Sequence, residues 1–235
     1  MTMKKKVWIF GDSYSDPVNY RRNNHQTWPI ELGKKYDVCN FSHQGSSPDW
    51  SLELLDKEIK SHDVNDLKDI SLIFLKSDPY RFNFSFFDTP EDHALLMHLD
   101  KIDRSDNQKK IEKYSKYLNF YKDFLKYYAY KNNYHDIASM KIVGSLKLYE
   151  AFFEKILVWP IFNTLKYPVL QTDKFYYVDK ILYDVENKKY AFGQDYRSNH
   201  LSKENHEIML EQLSNWIEYK TPIDASKFIY NVDRQ

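Results

Sequence analysis

Two residue types at opposite ends of this 235-residue chain could do acyl chemistry together. Ser13 follows the apolar run Val7-Trp8-Ile9-Phe10 and the dipeptide Gly11-Asp12. His200 lies in the polar stretch Asp195-Tyr196-Arg197-Ser198-Asn199-His200-Leu201-Ser202, just ahead of a helical pattern. A serine hydroxyl is a poor nucleophile until a base within about 3 Å takes its proton. With so much chain between them, only the fold can bring the imidazole to the hydroxyl. The plain alternative is a strand, a turn and a helix cap, since Asp and Ser are ordinary N-caps. His25, His62, His93, His98, His135 and His206 lack a comparable setting and read as surface or satisfied histidines. His43 is the partial exception, because it borders the same mouth.

The elements that must position this pair are set by periodicity. Residues 7–10 read as a short buried strand, and Gly11 permits a sharp turn that leaves Ser13 at its carboxyl end. In open α/β sheets, ligands bind outside that end. A helix directly after the turn would aim its N–H groups at an oxyanion beside the serine. Residues 28–34 suit a helix ending at Gly33, and residues 36–41 suit a second strand. The loop Ser42-His43-Gln44-Gly45-Ser46-Ser47-Pro48 comes next. Residues 50–60 have helical spacing, and residues 70–75 read as a strand buried on both faces. It ends in Lys76-Ser77-Asp78-Pro79-Tyr80-Arg81. Residues 82–106 are expected as a loop over the site.

Further on, Tyr114, Tyr117, Leu118, Tyr121, Phe124, Leu125 and Tyr128 fall on one helical face, with Lys109, Lys113, Lys116, Lys122 and Lys126 mostly elsewhere. An amphipathic helix with a solvated lysine face is favoured over a basic, aromatic binding surface. A second helical pattern runs over residues 142–156, and a fourth strand over 157–162, where Pro160 argues for an edge or a strand end. Residues 175–192 are ambiguous. Ser202 can cap a last helix that turns Met209, Leu213, Trp216 and Ile217 to the core. Alternating strands and helices imply a three-layer α/β/α sandwich on a mostly parallel sheet of about five strands. Residues 1–220 read as one domain with a helical insertion around 82–150, and 221–235 as a tail.

Net charge is zero, so nothing electrostatic points to nucleic acid or an anionic membrane as a main partner. Cys39 is the one cysteine, excludes an internal disulfide, and reads as a buried structural thiol. The basic N-terminus precedes too few apolar residues for a signal peptide, and no run reaches membrane-spanning length, so a cytoplasmic setting is expected. With 20 Tyr, many Lys and Asn, and only 5 Gly, the composition fits a phage or bacterial source.

Taken together, these segments resemble the SGNH (GDSL-like) hydrolase family. Gly11-Asp12-Ser13 is similar to its first block, Gly45 to the glycine of its second, and Asn199-His200-Leu201-Ser202 to its last. The resemblance implies a flavodoxin-like fold, no metal or cofactor, and cleavage of a small-molecule or saccharide ester, such as an acetyl ester. It implies Ser13 as nucleophile, His200 as base, and the backbone N–H groups of Ser13 and Gly45 as oxyanion donors. Asp12 and Asn199 are expected beside Gly45 and Ser77 on the oxyanion and substrate side of the site, Asp12 as the residue that fixes the turn rather than one that does chemistry. The chain departs from the family twice. Where the third block carries an Asn, this chain has Ser77-Asp78-Pro79; the Ser77 hydroxyl could donate, an ionised Asp78 could not, and Asn83 and Arg81 lie further on and could reach back. Losing one oxyanion donor costs roughly two to three orders of magnitude in rate. Three residues before the histidine, where the family places its acid, stands Arg197. Asp195 could orient His200 if the loop folds compactly; otherwise a backbone carbonyl does so and the pair is a dyad.

These departures keep a second class open, a glycan-binding or structural protein with a decayed site. A metallo-hydrolase built on Asp12, Asp16, His200 and His206 is a third, though the sequence lacks a compact ligand motif.

Overall fold

The computed structural model describes residues 4–17, 27–78, 81, 104–129, 134–161, 165, 168–180, 201 and 203–228. Five strands form one parallel sheet: β1 (Lys6–Phe10), β2 (Asp37–Asn40), β3 (Ile70–Lys76), β4 (Lys155–Pro160) and β5 (Phe175–Tyr177), in the order β2-β1-β3-β4-β5. The register sets Trp8 between Cys39 and Leu72, and Ile73 beside Leu157.

The period of two along each strand divides the core into two. Val7, Ile9, Ile73, Leu75, Leu157 and Trp159 join one cluster, with Trp28 and Leu32 of α1 (Trp28–Lys35) and Met209, Leu213, Trp216 and Ile217 of α7 (Lys203–Tyr219). Trp8, Phe10, Leu72, Phe74, Ile156 and Val158 join the other, with Leu55 of α2 (Pro48–Ser61) and Ile142, Val143 and Leu146 of α6 (Tyr134–Leu148). Helices therefore cover both faces, as expected of the α/β/α class. The connections explain the sides: β1 to β2 and β2 to β3 run in opposite directions across the sheet, so right-handed crossovers put α1 and α2 on opposite faces. The β1 quartet from Val7 to Phe10 is at most 4% exposed. Burial of side chains this size contributes about 1.5–3 kcal/mol each, which makes β1 a rigid base for the turn beyond Phe10.

Several sequence expectations are corrected. Gly33 lies inside α1, which continues to Lys35 and ends where the Tyr36 N–H meets Leu32 O. Burial of Tyr36 fixes the end, and the glycine does not. β4 starts at Lys155, because its ammonium donates to Trp216 O and Ile217 O and is thereby tolerated in a buried strand. The second helical pattern therefore stops at Leu148 and the 3-10 turn Tyr149–Ala151, and Ile156 belongs to the sheet. The tyrosine-rich stretch divides into α4 (Arg104–Ser115), α5 (Leu118–Asp123) and a π-helical segment (Phe124–Ala129). Tyr114 is fully buried there, while Lys109, Lys113, Lys116, Lys122 and Lys126 are exposed. Cys39 is exposed, since β2 is an edge strand with one neighbour.

Pro160 ends β4, opposite Lys76. Of the ambiguous stretch 175–192, β5 is described and residues 181–192 lie outside the described residues, as do 82–103 and 229–235. Ile223, Ala225 and Phe228 are buried, with Ile223 and Phe228 in the first cluster. A one-turn helix, α3 (Val64–Leu67), leads into β3. Among the described residues, no helix is long and apolar enough to cross a membrane.

Candidate active site

The carboxyl ends of β1 and β3 adjoin where the chain reverses direction across the sheet, the position at which doubly wound folds bind ligands. Three loops meet there. After β1, Ser15 N and Asp16 N both donate to Asp12 O at 3.0 Å, closing a single turn where a helix was one expectation. Gly11, Asp12, Tyr14, Ser15 and Asp16 are buried in this turn; Ser13 is half-buried and faces outward most. Gly11 has a steric reason: a Cβ there would lie 2.5 Å from Ser15 Oγ and 2.9 Å from Leu75 Cβ.

The loop after β2 is stitched to this turn. His43 N (3.1 Å) and Ser46 Oγ (2.8 Å) both donate to Gly11 O. Asn40 Nδ2 donates to Ser15 O at 2.7 Å, Ser15 Oγ to Ser42 Oγ at 2.7 Å, and Gln44 N to Asp16 Oδ2 at 2.8 Å. Gly45 carries φ 77°, a left-handed conformation that other residues adopt at a cost of about 1–2 kcal/mol. The His43 ring packs edge-on against Trp50, with centroids 5.8 Å apart.

The loop after β3 closes the third side. Ser77 is buried and its Oγ donates to Ser46 O at 2.8 Å. Its proton is thus committed to a backbone carbonyl in this arrangement, which bears directly on its expected part as an oxyanion donor. Asp12 is fully buried; its Oδ1 accepts from Tyr14 N at 3.1 Å and its Oδ2 from Arg81 Nη1 at 2.7 Å. Burial pushes the Asp12 carboxyl above its ordinary range, while Arg81 and the Tyr14 N–H pull it back. Asp12 therefore shapes the turn that carries Ser13.

Beneath the turn, Trp28 Nε1 donates to Tyr14 O at 3.1 Å, and Trp28 N donates to His206 Nδ1 at 3.3 Å. One tryptophan so links the backbone beside Ser13 to the first turns of α7. Leu201, next to His200 in sequence, is buried in the same cluster as Tyr14 and Trp28. Asp195, Asn199, His200 and the capping Ser202 lie outside the described residues. Of the residues weighed for a metal, Asp12 bonds Arg81, Asp16 accepts from Gln44 N and His206 accepts from Trp28 N; among the described residues no group of three His, Cys, Asp or Glu is arranged to hold an ion.

Sequence reasoning missed the stitching by Asn40, Ser42 and Ser46, whose polar loop composition was the available signal. Arg81 does reach back from the loop after β3, though onto Asp12; that pair was missed, and nothing local gives a signal for it. No protein family matches the chain, and no curated protein matches it in sequence. Among solved structures, it is similar to a catalytic mutant of an acetylxylan esterase from Geobacillus stearothermophilus, at 9% identity and a TM-score of 0.29, over 68% of this chain and 62% of that one. The chain thus spans less than two thirds of that esterase's length.

Proposed function

We propose that the chain is a serine-dependent ester hydrolase of the SGNH type, acting on a small-molecule or saccharide ester, with an acetyl ester as the first candidate. The observation that carries this reading is the β1 turn: Ser13 is the one residue from Gly11 to Asp16 that is only half-buried, on a turn bonded to the loops after β2 and β3. Fixed presentation of a nucleophile at the switch point of the sheet is what acyl transfer needs.

In this reading Ser13 Oγ attacks the ester carbonyl while His200 takes its proton. Asp195, or a backbone carbonyl in a dyad, orients the imidazole. The Ser13 and Gly45 N–H groups hold the oxyanion. His200 then protonates the leaving alcohol, and water, activated by the same imidazole, releases the acyl group. What supports His200 is the tie from Tyr14 through Trp28 to His206, which brings the start of α7 under the Ser13 turn. Asn199 lines the site beside it. Ser77, with its proton on Ser46 O, serves by joining two loops.

Ser13→Ala is expected to abolish turnover of p-nitrophenyl acetate by the folded protein; unchanged turnover would refute the assignment. The engaged Ser77 hydroxyl, with no Asn in the adjoining positions to replace it, is the observation favouring the second reading, a glycan-binding or structural protein. Folded protein that binds an acetylated oligosaccharide yet turns over no acyl ester would decide for it.

A further inference from the structure

We propose that Arg81 is a positioning residue for Ser13, acting through Asp12 as a clasp between the loop after β3 and the turn after β1. The inference rests on the reading of Ser13 as nucleophile and assigns a role to a side chain that the reaction itself does not use.

The geometry is a short chain of contacts. Arg81 Nη1 lies 2.7 Å from Asp12 Oδ2, with the arginine side chain 17% exposed and the aspartate side chain 0%. The other oxygen of the same carboxylate accepts the Tyr14 N–H. Asp12 and Tyr14 flank Ser13, so one carboxylate sets the backbone on both sides of the nucleophile. Arg81 is itself placed by its N–H, which donates to Asp78 O at 3.0 Å. A buried carboxylate deprived of its cation either takes a proton or moves toward water, and either change loosens the bond to Tyr14 N. Arginine suits the task because its charge does not titrate and its fork can hold a fixed direction.

The charges that act on Asp12 are those of Arg81, which favours the ionised form, and Asp78, which opposes it. On the turn itself, Asp16 accepts from Gln44 N; on the β2 loop, the His43 ring packs on Trp50. With Arg81 gone, burial and Asp78 both push Asp12 toward its neutral form.

The test is a pH series on Arg81→Met and Arg81→Lys. In the ester assay, Arg81→Met is expected to lose about a hundredfold in kcat/KM near neutral pH, the usual consequence of misplacing a reacting group by about 1 Å. Its acidic limb is expected to move to higher pH. Arg81→Lys, which keeps the charge, is expected to recover part of the loss and return the limb toward that of the parent. A uniform loss at every pH with no shift of the limb, or parental kinetics, would overturn the clasp.

A second arm reads the same linkage without activity, so that an inert Ser13 is distinguished from a failed clasp. The folded-state pKa of Asp12 lies above its unfolded value, so the stability present at low pH is lost as pH rises through that window. Without Arg81 the loss is larger, because only the Tyr14 N–H then offsets burial of the ionised carboxylate. The fall in urea midpoint caused by Arg81→Met is therefore expected to be larger at pH 7 than at pH 4.5. An equal fall at both pH values would overturn the proposal even where no ester is cleaved.

Discussion

Two lysines are buried in the sheet, at opposite ends of neighbouring strands, and the protein treats them differently. Lys155 opens β4 at the amino edge, 2% exposed, and donates to Trp216 O and Ile217 O in the last turn of α7. That turn needs a cation, since its carbonyls end a helix dipole. Lys76 closes β3 at the carboxyl edge, 0% exposed, and donates to a neutral partner, Ser139 Oγ of α6, at 3.0 Å. Burial lowers its pKa to about 8, against which Asp78 works only in part. The amino edge uses its buried charge to close the fold. The carboxyl edge, where Ser13 and the Asp12–Arg81 pair also sit, holds charge that the fold compensates less completely. Sites that do chemistry tolerate this kind of imbalance.

The contrast breaks or sharpens with four substitutions. Lys155→Met should cost the most, about 2 kcal/mol in urea unfolding at pH 7, because it removes both bonds from a buried ammonium to the end of α7, where Trp216 O keeps only the Lys220 N–H and Ile217 O only Lys5 Nζ at 3.3 Å. Lys76→Met should act with the opposite sign, stabilising by about 1–2 kcal/mol at pH 7 by removing an ammonium that burial penalises. Between pH 8 and 10.5 the unfolded chain binds more protons than the folded one, so parental stability rises across that window and the advantage of Lys76→Met shrinks. Equal losses from both lysines would end the comparison. Gly45→Ala, forced into the left-handed region, should cost about 1–2 kcal/mol at the carboxyl edge, read from the same urea midpoints. Gly33→Ala, in the exposed interior of α1 with nothing within 4 Å of the new methyl, should gain up to about 1 kcal/mol, read as a rise in Tm.

The same contrast explains what the sequence could carry. Runs such as 7–10 and 70–75 are apolar because both faces of a parallel strand are covered, so β1 and β3 stand out within a residue or two. Lys155 hid the start of β4, because a buried lysine is licensed by carbonyls contributed from a helix some sixty residues away, which no local pattern announces. Cys39 looked buried because it follows Val38 in a short apolar run, yet only the strand order shows that β2 is an edge. At the site, the turn glycines Gly11 and Gly45 were legible from their scarcity and setting; a Cβ at Gly11 would clash with Ser15 and Leu75, and Gly45 holds a left-handed backbone. The Arg81–Asp12 pair was not, since it depends on how two loops approach. Asp195, Asn199 and His200 remain expectations drawn from order and spacing alone.

Reaction of the folded protein with a fluorophosphonate, followed by mass spectrometric mapping of the adduct, tests the central claim most directly, because only an activated serine is phosphonylated. One adduct, on Ser13, lost in His200→Ala, is the expected result. Folded protein that stays unlabelled, or carries its label on another residue, would contradict it.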